Sequence, residues 1–303
     1  MSTRPWWKVA RWAYVAALVA VVVWIVWRRR DELTLLIADA RPGFLVIALL
    51  LGMGNLAINA VMWRTALRAL DQRVTFTTVM SATARSVPAR YVPGSVWFAV
   101  GRAALLRKEG VTTRAVTAVA VLESALSLVV AVGFGVVLLL VTGRGPQAGW
   151  LIGAACLALV ILVSPPVINR GLVFWARRRG GEAPELAWGS HLVLLSILVG
   201  FWIWSATTFV VYLLAFPGVQ VGAPFEIAGS FMVAWGVGFL APFAPQGAGV
   251  FEVTVAALLR GSGGVATVAI VVGGYRALMA VRDAVAFGVA GLSRARRTQP
   301  PTA

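Results

Sequence analysis

The stretch SVPARYVPGSVWFAVGR, residues 86–102, decides how this chain is to be read. It holds two prolines, two glycines and two arginines, with Arg85 just before it, inside a chain otherwise built largely of Val, Leu and Ala. Pro88 and Pro93 each remove a backbone donor and disfavour helix in the preceding residue. Gly94 permits a turn, and Ser95 is an N-cap for a helix expected over 96–106. The product is a broken helix whose second half starts with free N–H groups and the positive end of its dipole. Arg85 and Arg90 flank that start, and Arg102 follows two turns along. A helix start with two or three guanidiniums suits a phosphate. The alternative is an amphipathic segment lying on a membrane surface.

The surroundings are those of a membrane protein. Of the 303 residues, 60% are hydrophobic and 13% charged, against about 25% charged in soluble domains. Uncharged runs such as VAALVAVVVWIVW and LVVAVGFGVVLLLV are span candidates. The net charge of +16 does not point to nucleic acid, because the basic residues cluster at the ends of the apolar runs. There they act as head-group anchors and orientation signals. The single cysteine, Cys156, excludes a disulfide framework or thiolate metal site within the chain. The single histidine, His191, opens an apolar run and reads as a packing residue.

Six runs read as full spans: 11–27, 43–63, 115–141, 148–168, 189–214 and 264–291. The first ends in WRRRDE and not in a small-residue cleavage site, so it reads as a retained helix. Residues 143–149 read as a short turn and 169–189 as a polar loop. Two long, semi-apolar connectors remain, 74–106 and 226–259. Segment 64–114 carries nine Lys/Arg and 169–188 four, while 143–149 has one and 215–225 none; the C-terminal tail adds three. Placing the rich segments on the cytoplasmic side closes the topology only if each connector enters the membrane and returns. WRRR at 27–30 stands against this rule. Both connectors are therefore expected to be re-entrant helical hairpins, dipping from opposite faces, with both termini cytoplasmic in a bacterial-type inner membrane.

An internal repeat follows. Span, hairpin and span over 43–141 are matched in inverted orientation by span, hairpin and span over 189–291, a recurring transporter plan. The expected fold is an all-α polytopic membrane protein forming a single integral membrane domain. Residues 1–42 make an N-terminal helix and interfacial segment, 142–188 a linking span and loop, and 292–303 a basic disordered tail.

The second hairpin carries APFAPQGAGVFE. Pro242 and Pro245 stop one helix and another starts near Val250. Gly247 and Gly249 allow close backbone approach, Gln246 offers a donor and an acceptor, and Glu252 falls in the first turn. Glu252 can offset the helix dipole, carry a proton or pair with an arginine. Charges at membrane depth are costly and default to function. Arg276, Arg282 and Asp283 in the last span, and Glu123 in 115–141, are such charges, although mutual ion pairing alone satisfies the same physics. Asn55 and Asn59 read as helix–helix glue. There is no P-loop, H-E-x-x-H, G-x-S-x-G or Cys/His cluster, so the chain is not expected to be an enzyme, and no cofactor or metal is expected.

With these residues in hand, the chain resembles the flippase-like family, also called the lysylphosphatidylglycerol synthase transmembrane region. That region is the membrane half of the multiple peptide resistance factor. The matching pieces are RYVPGSVWFAVGRAALLRKEG (90–110), VLESALSL (121–128), FLAPFAPQGAGVFE (239–252) and GYRALMAVRD (274–283), in the expected order. The chain departs from the pattern at Ser124, where the family tends to have Arg. The soluble aminoacyltransferase half is absent from the sequence. The resemblance implies movement of a lipid or lipid-linked head group between leaflets. It points to Arg90, Pro93, Gly94, Arg102, Glu123, Pro245, Gly247, Gly249, Glu252 and Arg276.

The leading expectation is a translocase for an anionic phospholipid, an aminoacylated lipid or a polyprenyl-phosphate-linked lipid. The arginines would bind the phosphate, and Glu123, Glu252 and Asp283 are the proton candidates. The competing readings are a membrane subunit or anchor of a lipid-modifying transferase, and a non-catalytic envelope-assembly factor. The expected partners are membrane lipids and a separate glycosyltransferase or lipid synthase.

Overall fold

The structure is a computed structural model that describes residues 20, 23–24, 27–28, 30–91, 97–142, 158, 161, 163–177, 187–219, 221–241, 244–259 and 264–298. Among the described residues are ten α-helices and no strand. They are α1 (Arg30–Ala38), α2 (Pro42–Ala69), α3 (Phe76–Ser86), α4 (Trp97–Lys108), α5 (Thr113–Val141), α6 (Pro165–Arg177), α7 (Trp188–Leu213), α8 (Pro224–Phe239), α9 (Val250–Leu259) and α10 (Gly264–Thr298). Two short 3-10 turns join helix pairs: Val87–Tyr91 follows α3 and Pro245–Gly247 lies between α8 and α9.

Local chemistry sets the helix starts. Pro42 opens α2, where its missing N–H is harmless. Thr75 accepts from the Thr78 N–H at 3.1 Å to cap α3, and Thr112 accepts from the Ala115 N–H at 3.3 Å to cap α5. Among the described residues, four helices are long and apolar enough to cross a membrane: Pro42–Ala69, Thr113–Val141, Trp188–Leu213 and Gly264–Leu292. The chain is a multi-pass membrane protein. The expected spans 11–27 and 148–168 lie for the most part outside the described residues.

Two boundaries differ from expectation. Residues 165–177, expected as the end of a span and part of a loop, form α6. Two prolines start it, and Val167, Ile168 and Val173 alternate with Asn169, Arg170 and Arg177 in an amphipathic pattern. The last helix does not stop at 291 but runs to Thr298 through SRARRT, because Arg and Ala are good helix formers.

The packing has an exchange symmetry. Let α2, α3, α4 and α5 correspond to α7, α8, α9 and α10. Then α2 packs on α7, its own counterpart. The contact of α5 with α8 is matched by α10 with α3, and α3 with α4 by α8 with α9. Likewise α4 with α5 is matched by α9 with α10, and α2 with α3 by α7 with α8. The two 3-10 turns also touch each other.

Lipid gives helices no hydrophobic reason to associate, so close packing and polar contacts hold them. At the α5–α8 seam a Cβ on Gly135 would lie 2.9 Å from the Gly229 carbonyl oxygen, so the backbones touch. On the α2–α7 seam Trp204 Nε1 donates to the Leu51 carbonyl at 2.7 Å, and Ser205 Oγ donates to Asn55 Oδ1 at 3.1 Å. Asn55 is thus the helix glue it was expected to be. An aromatic core of Phe209, Phe231, Phe251 and Tyr275 joins α7 to α10, with the Phe209 and Phe231 rings 4.9 Å apart. His191 is buried with Nε2 2.6 Å from the Val163 carbonyl, a packing role.

Candidate functional site

The chain breaks at two 3-10 turns, Val87–Tyr91 and Pro245–Gly247, and the two turns meet. In the second, Gln246 and Gly247 take left-handed φ of 51° and 69°. A Cβ on Gly247 would sit 2.6 Å from Gly238 Cα, so α8 and the turn are in backbone contact and only glycine fits there. Gly249, at φ 83°, lets the chain enter α9. Its N–H donates to Glu252 Oε2 at 2.7 Å, which satisfies one of the orphan donors at the helix start. The other oxygen, Oε1, faces Arg276 Nε at 2.6 Å. Glu252 therefore does two of the things expected of it: it completes its helix start and it pairs with an arginine. Arg276 also donates from Nη2 to the Gln246 carbonyl at 2.6 Å. The left-handed turn aims the Gln246 carbonyl at α10.

At the first break, Pro93, Gly94 and Ser95 lie outside the described residues. The described helix beyond them is Trp97–Lys108, two residues longer at its end than the expected 106. Arg102 on α4 is fully buried, and Nε, Nη1 and Nη2 all lack a hydrogen-bond partner. Its guanidinium carbon lies 4.3 Å from the Trp63 ring centroid and 4.2 Å from that of Phe98. Arg90 sits over the same Phe98 ring at 3.9 Å. Glu123 Oε2 is 3.7 Å from Arg102 Nη1, beyond hydrogen-bond reach. The carboxylate is instead held by neutral donors: Asn59 Nδ2 at 2.6 Å on Oε1 and Trp63 Nε1 at 2.7 Å on Oε2. Ser124, where the family pattern has Arg, donates to its own helix at the Ala120 carbonyl. Glu123's guanidinium neighbour thus comes from α4.

A third pair ties the first turn to α10. Arg282 donates through Nε and Nη2 to Asp283 Oδ1, and Tyr91 Oη donates to Asp283 Oδ2 at 2.9 Å. Arg282 and Asp283 are both buried. Both turns are therefore tied to one helix, through Arg276 and Asp283, which lie two turns apart on the same face of α10. Around the breaks stand four guanidiniums, Arg90, Arg102, Arg276 and Arg282, against three carboxylates, Glu123, Glu252 and Asp283. One positive charge is left over.

The energetics single out Arg102. A cation stacked on a desolvated ring gains about 2 kcal/mol. Removing a charge from water costs several kcal/mol, even after relaxation. Two rings and a carboxylate beyond bonding distance leave its N–H groups unsatisfied. An oxyanion is the group that would satisfy them, and Arg presents them as a fork suited to phosphate.

Arg85 is not in this cluster. It lines a separate groove along α3. The sequence reading missed four residues of the site: Asn59, Trp63, Phe98 and Tyr91. Two signals were present. Asn59 and Trp63 are at i and i+4 on α2, and Phe98 and Arg102 at i and i+4 on α4, so each pair shares a helix face.

A family model for the lysylphosphatidylglycerol synthase TM region matches residues 12–281, and the chain belongs to that family. No curated protein matches the chain.

Proposed function

We propose that this chain, a member of the lysylphosphatidylglycerol synthase TM region family, moves a phosphate-bearing lipid between the leaflets of a bacterial-type inner membrane. The lipid classes that fit are an anionic phospholipid, an aminoacylated phospholipid and a polyprenyl-phosphate-linked lipid. Each carries a phosphate close to long apolar tails.

The observation that carries the reading is Arg102: fully buried, without a hydrogen-bond partner, and beside the place where the two breaks meet. On this reading α3–α4 and α8–α9 are re-entrant hairpins that enter from opposite faces, and the exchange symmetry of the packing is that of an inverted repeat. A lipid phosphate reaches the breaks, takes the N–H groups of Arg102 and Arg90, and leaves the tails in the bilayer. Asn59 and Trp63 hold Glu123 back from Arg102, so the internal carboxylate does not outcompete the phosphate. The chain moves the lipid without making or breaking a covalent bond. A separate lipid synthase or glycosyltransferase that supplies or consumes the lipid sets the direction of net movement.

The test is reconstitution of the purified chain into vesicles with head-group-labelled fluorescent phosphatidylglycerol, or a labelled polyprenyl phosphate, and an impermeant quencher outside. Protein-dependent exposure of the inner-leaflet label is expected. Arg102→Ala slows it by about tenfold or more, the scale of one lost hydrogen bond to a charged group. Folded protein that moves neither lipid overturns the proposal.

A further inference from the structure

Arg85 was expected at the phosphate site and stands elsewhere, in a groove of about 620 Å³ bounded by α2, α3, α4 and α10. That volume lies in the range of small-ligand sites. The groove follows α3 from Thr77 to Arg85, about 12 Å at the helical rise. Lys108, one of two lysines in the chain, and Glu109 line it at the end of α4. Arg85 and Lys108 form no ion pair with a described residue, so the groove offers two cations against one carboxylate.

Thr77, Thr78 and Ser81 add hydroxyls along α3, and the rest of the wall is apolar, with Met53 of α2, Leu105 of α4 and Val289 of α10 among the lining side chains. Two of these continue lipid-facing stripes. Val46 and Leu50 are exposed two turns and one turn before Met53, and Val281 and Val285 are exposed two turns and one turn before Val289. The groove is therefore continuous with the surface that faces acyl chains. Three of its lining residues, Ala84, Ala286 and Ala290, belong to a small apolar cluster completed by Leu56 and Val87, against which Phe98 packs. Phe98 is the ring that carries Arg90 and Arg102. This cluster and Phe98 link the wall of the groove to the arginine cluster.

We infer that this groove is a loading site for an anionic lipid, in which Lys108 and Arg85 hold the phosphate while the tails lie along the α2 and α10 stripes, before the head group passes to Arg90 and Arg102. The inference rests on the transport reading for its purpose, but the binding it claims is separately measurable. Lys108 supplies a compact point charge and Arg85 a fork, the two ways side chains hold phosphate. An apolar ligand would leave both cations unsatisfied, and a soluble anion would leave the apolar wall exposed. A lipid phosphate satisfies both.

The experiment uses the full chain in phosphatidylcholine vesicles doped with phosphatidylglycerol bearing a photoreactive group near the head of one acyl chain. Adducts are mapped by peptide mass spectrometry. Adducts at Met53, Leu105 and Val289 are expected, and they fall about fivefold for each charge removed in Arg85→Ala and Lys108→Ala, the scale of one basic residue near an anionic surface. Arg85→Lys retains labelling, which separates loss of charge from loss of fold, and the thermal transition of each variant is measured alongside. Arg102→Ala slows transport but leaves groove labelling intact. Equal labelling by a photoreactive phosphatidylcholine, or labelling unchanged in the Arg85→Ala/Lys108→Ala variant, overturns the inference. So does suppression by millimolar inorganic phosphate to the same extent as by added phosphatidylglycerol, because it would mark a site for the free anion. Charge-dependent labelling in a chain that moves no lipid sinks the transport proposal and leaves the groove standing as a lipid site.

Discussion

Arg276 meets Glu252 at 2.6 Å across the α9–α10 seam, and Arg102 faces Glu123 at 3.7 Å across the α4–α5 seam. The two seams correspond under the exchange that relates the halves of the packing, yet the charges are swapped: the arginine is on the short helix in one half and on the long helix in the other. The pairs also differ in closure. In one the guanidinium and carboxylate bond directly, while in the other neutral donors occupy the carboxylate and the guanidinium is left stacked between rings. A pair that is closed on one side and open on the other gives the site a resting element and a receptive one.

The closed pair is expected to behave as a coupled unit. Arg276→Ala and Glu252→Ala each lose a charged contact, and Arg276→Ala also loses the Gln246 carbonyl. Both side chains are partly shielded from water, so each change is expected to cost about 1–3 kcal/mol. The double variant should cost less than the sum of the singles by about 1–2 kcal/mol. Thermal unfolding of the four proteins in one detergent measures this, and strict additivity would show that the pair contributes nothing as a pair.

The open pair makes the opposite prediction about stability and function. Trp63→Phe keeps a ring against Arg102 but removes the N–H that holds Glu123 Oε2. Glu123 is then released to bond Arg102. Stability is expected to change little, because a new charged contact replaces the lost neutral donor, while lipid movement slows as the carboxylate competes with the phosphate. Vesicle flipping rates at rising phosphatidylglycerol content check it. The deficit should shrink as lipid content rises, and a deficit independent of lipid content would point to lost packing.

Backbone contact at the second break predicts a sharp contrast between glycines. Gly247→Ala places a Cβ 2.6 Å from the Gly238 backbone at a φ of 69°, so the turn must shift, and more than about 2 kcal/mol is expected. Gly110→Ala has a φ of 85° but open space around the new Cβ, so it should cost only about 1 kcal/mol. Thermal melts of both variants, made side by side, separate steric contact from backbone strain.

Much of this was legible in the sequence because membrane burial writes itself into composition. The four spans of the described core, the two breaks between them and the charges at depth all follow from apolar length, proline and the cost of charge in lipid. What the sequence did not show was which charges close on which. Glu123 was read as a proton or ion-pair candidate; that Asn59 and Trp63 would take its oxygens depends on how α2 is turned against α5, which no periodicity specifies. Arg85 shows the same limit. It is five residues from Arg90, but α3 ends at Ser86 and Arg90 stands in the 3-10 turn that follows, so one side chain lines the groove and the other joins the cluster. Residues 165–177 were hidden for another reason: an amphipathic helix mixes apolar and basic residues in the proportions of a loop.

The third pair gives a graded prediction along a single chain of contacts. Tyr91→Phe removes one hydrogen bond to Asp283 at the edge of the first turn. Such a bond to a charged group is worth about 1.5–3 kcal/mol, with the lower end expected because Tyr91 is half exposed. Asp283→Leu removes the acceptor for both Arg282 and Tyr91 and leaves a buried guanidinium without its carboxylate. Stranding a buried charge costs about 3–5 kcal/mol. The Arg282→Leu/Asp283→Leu double variant removes both charges and should recover much of that loss, since an apolar pair tolerates burial that a lone ion does not. The order of thermal stability is therefore wild type, then Tyr91→Phe, then the double variant, with Asp283→Leu lowest. If Asp283→Leu alone is as stable as the double variant, Arg282 finds another partner, and α10 does not hold the first turn through this carboxylate.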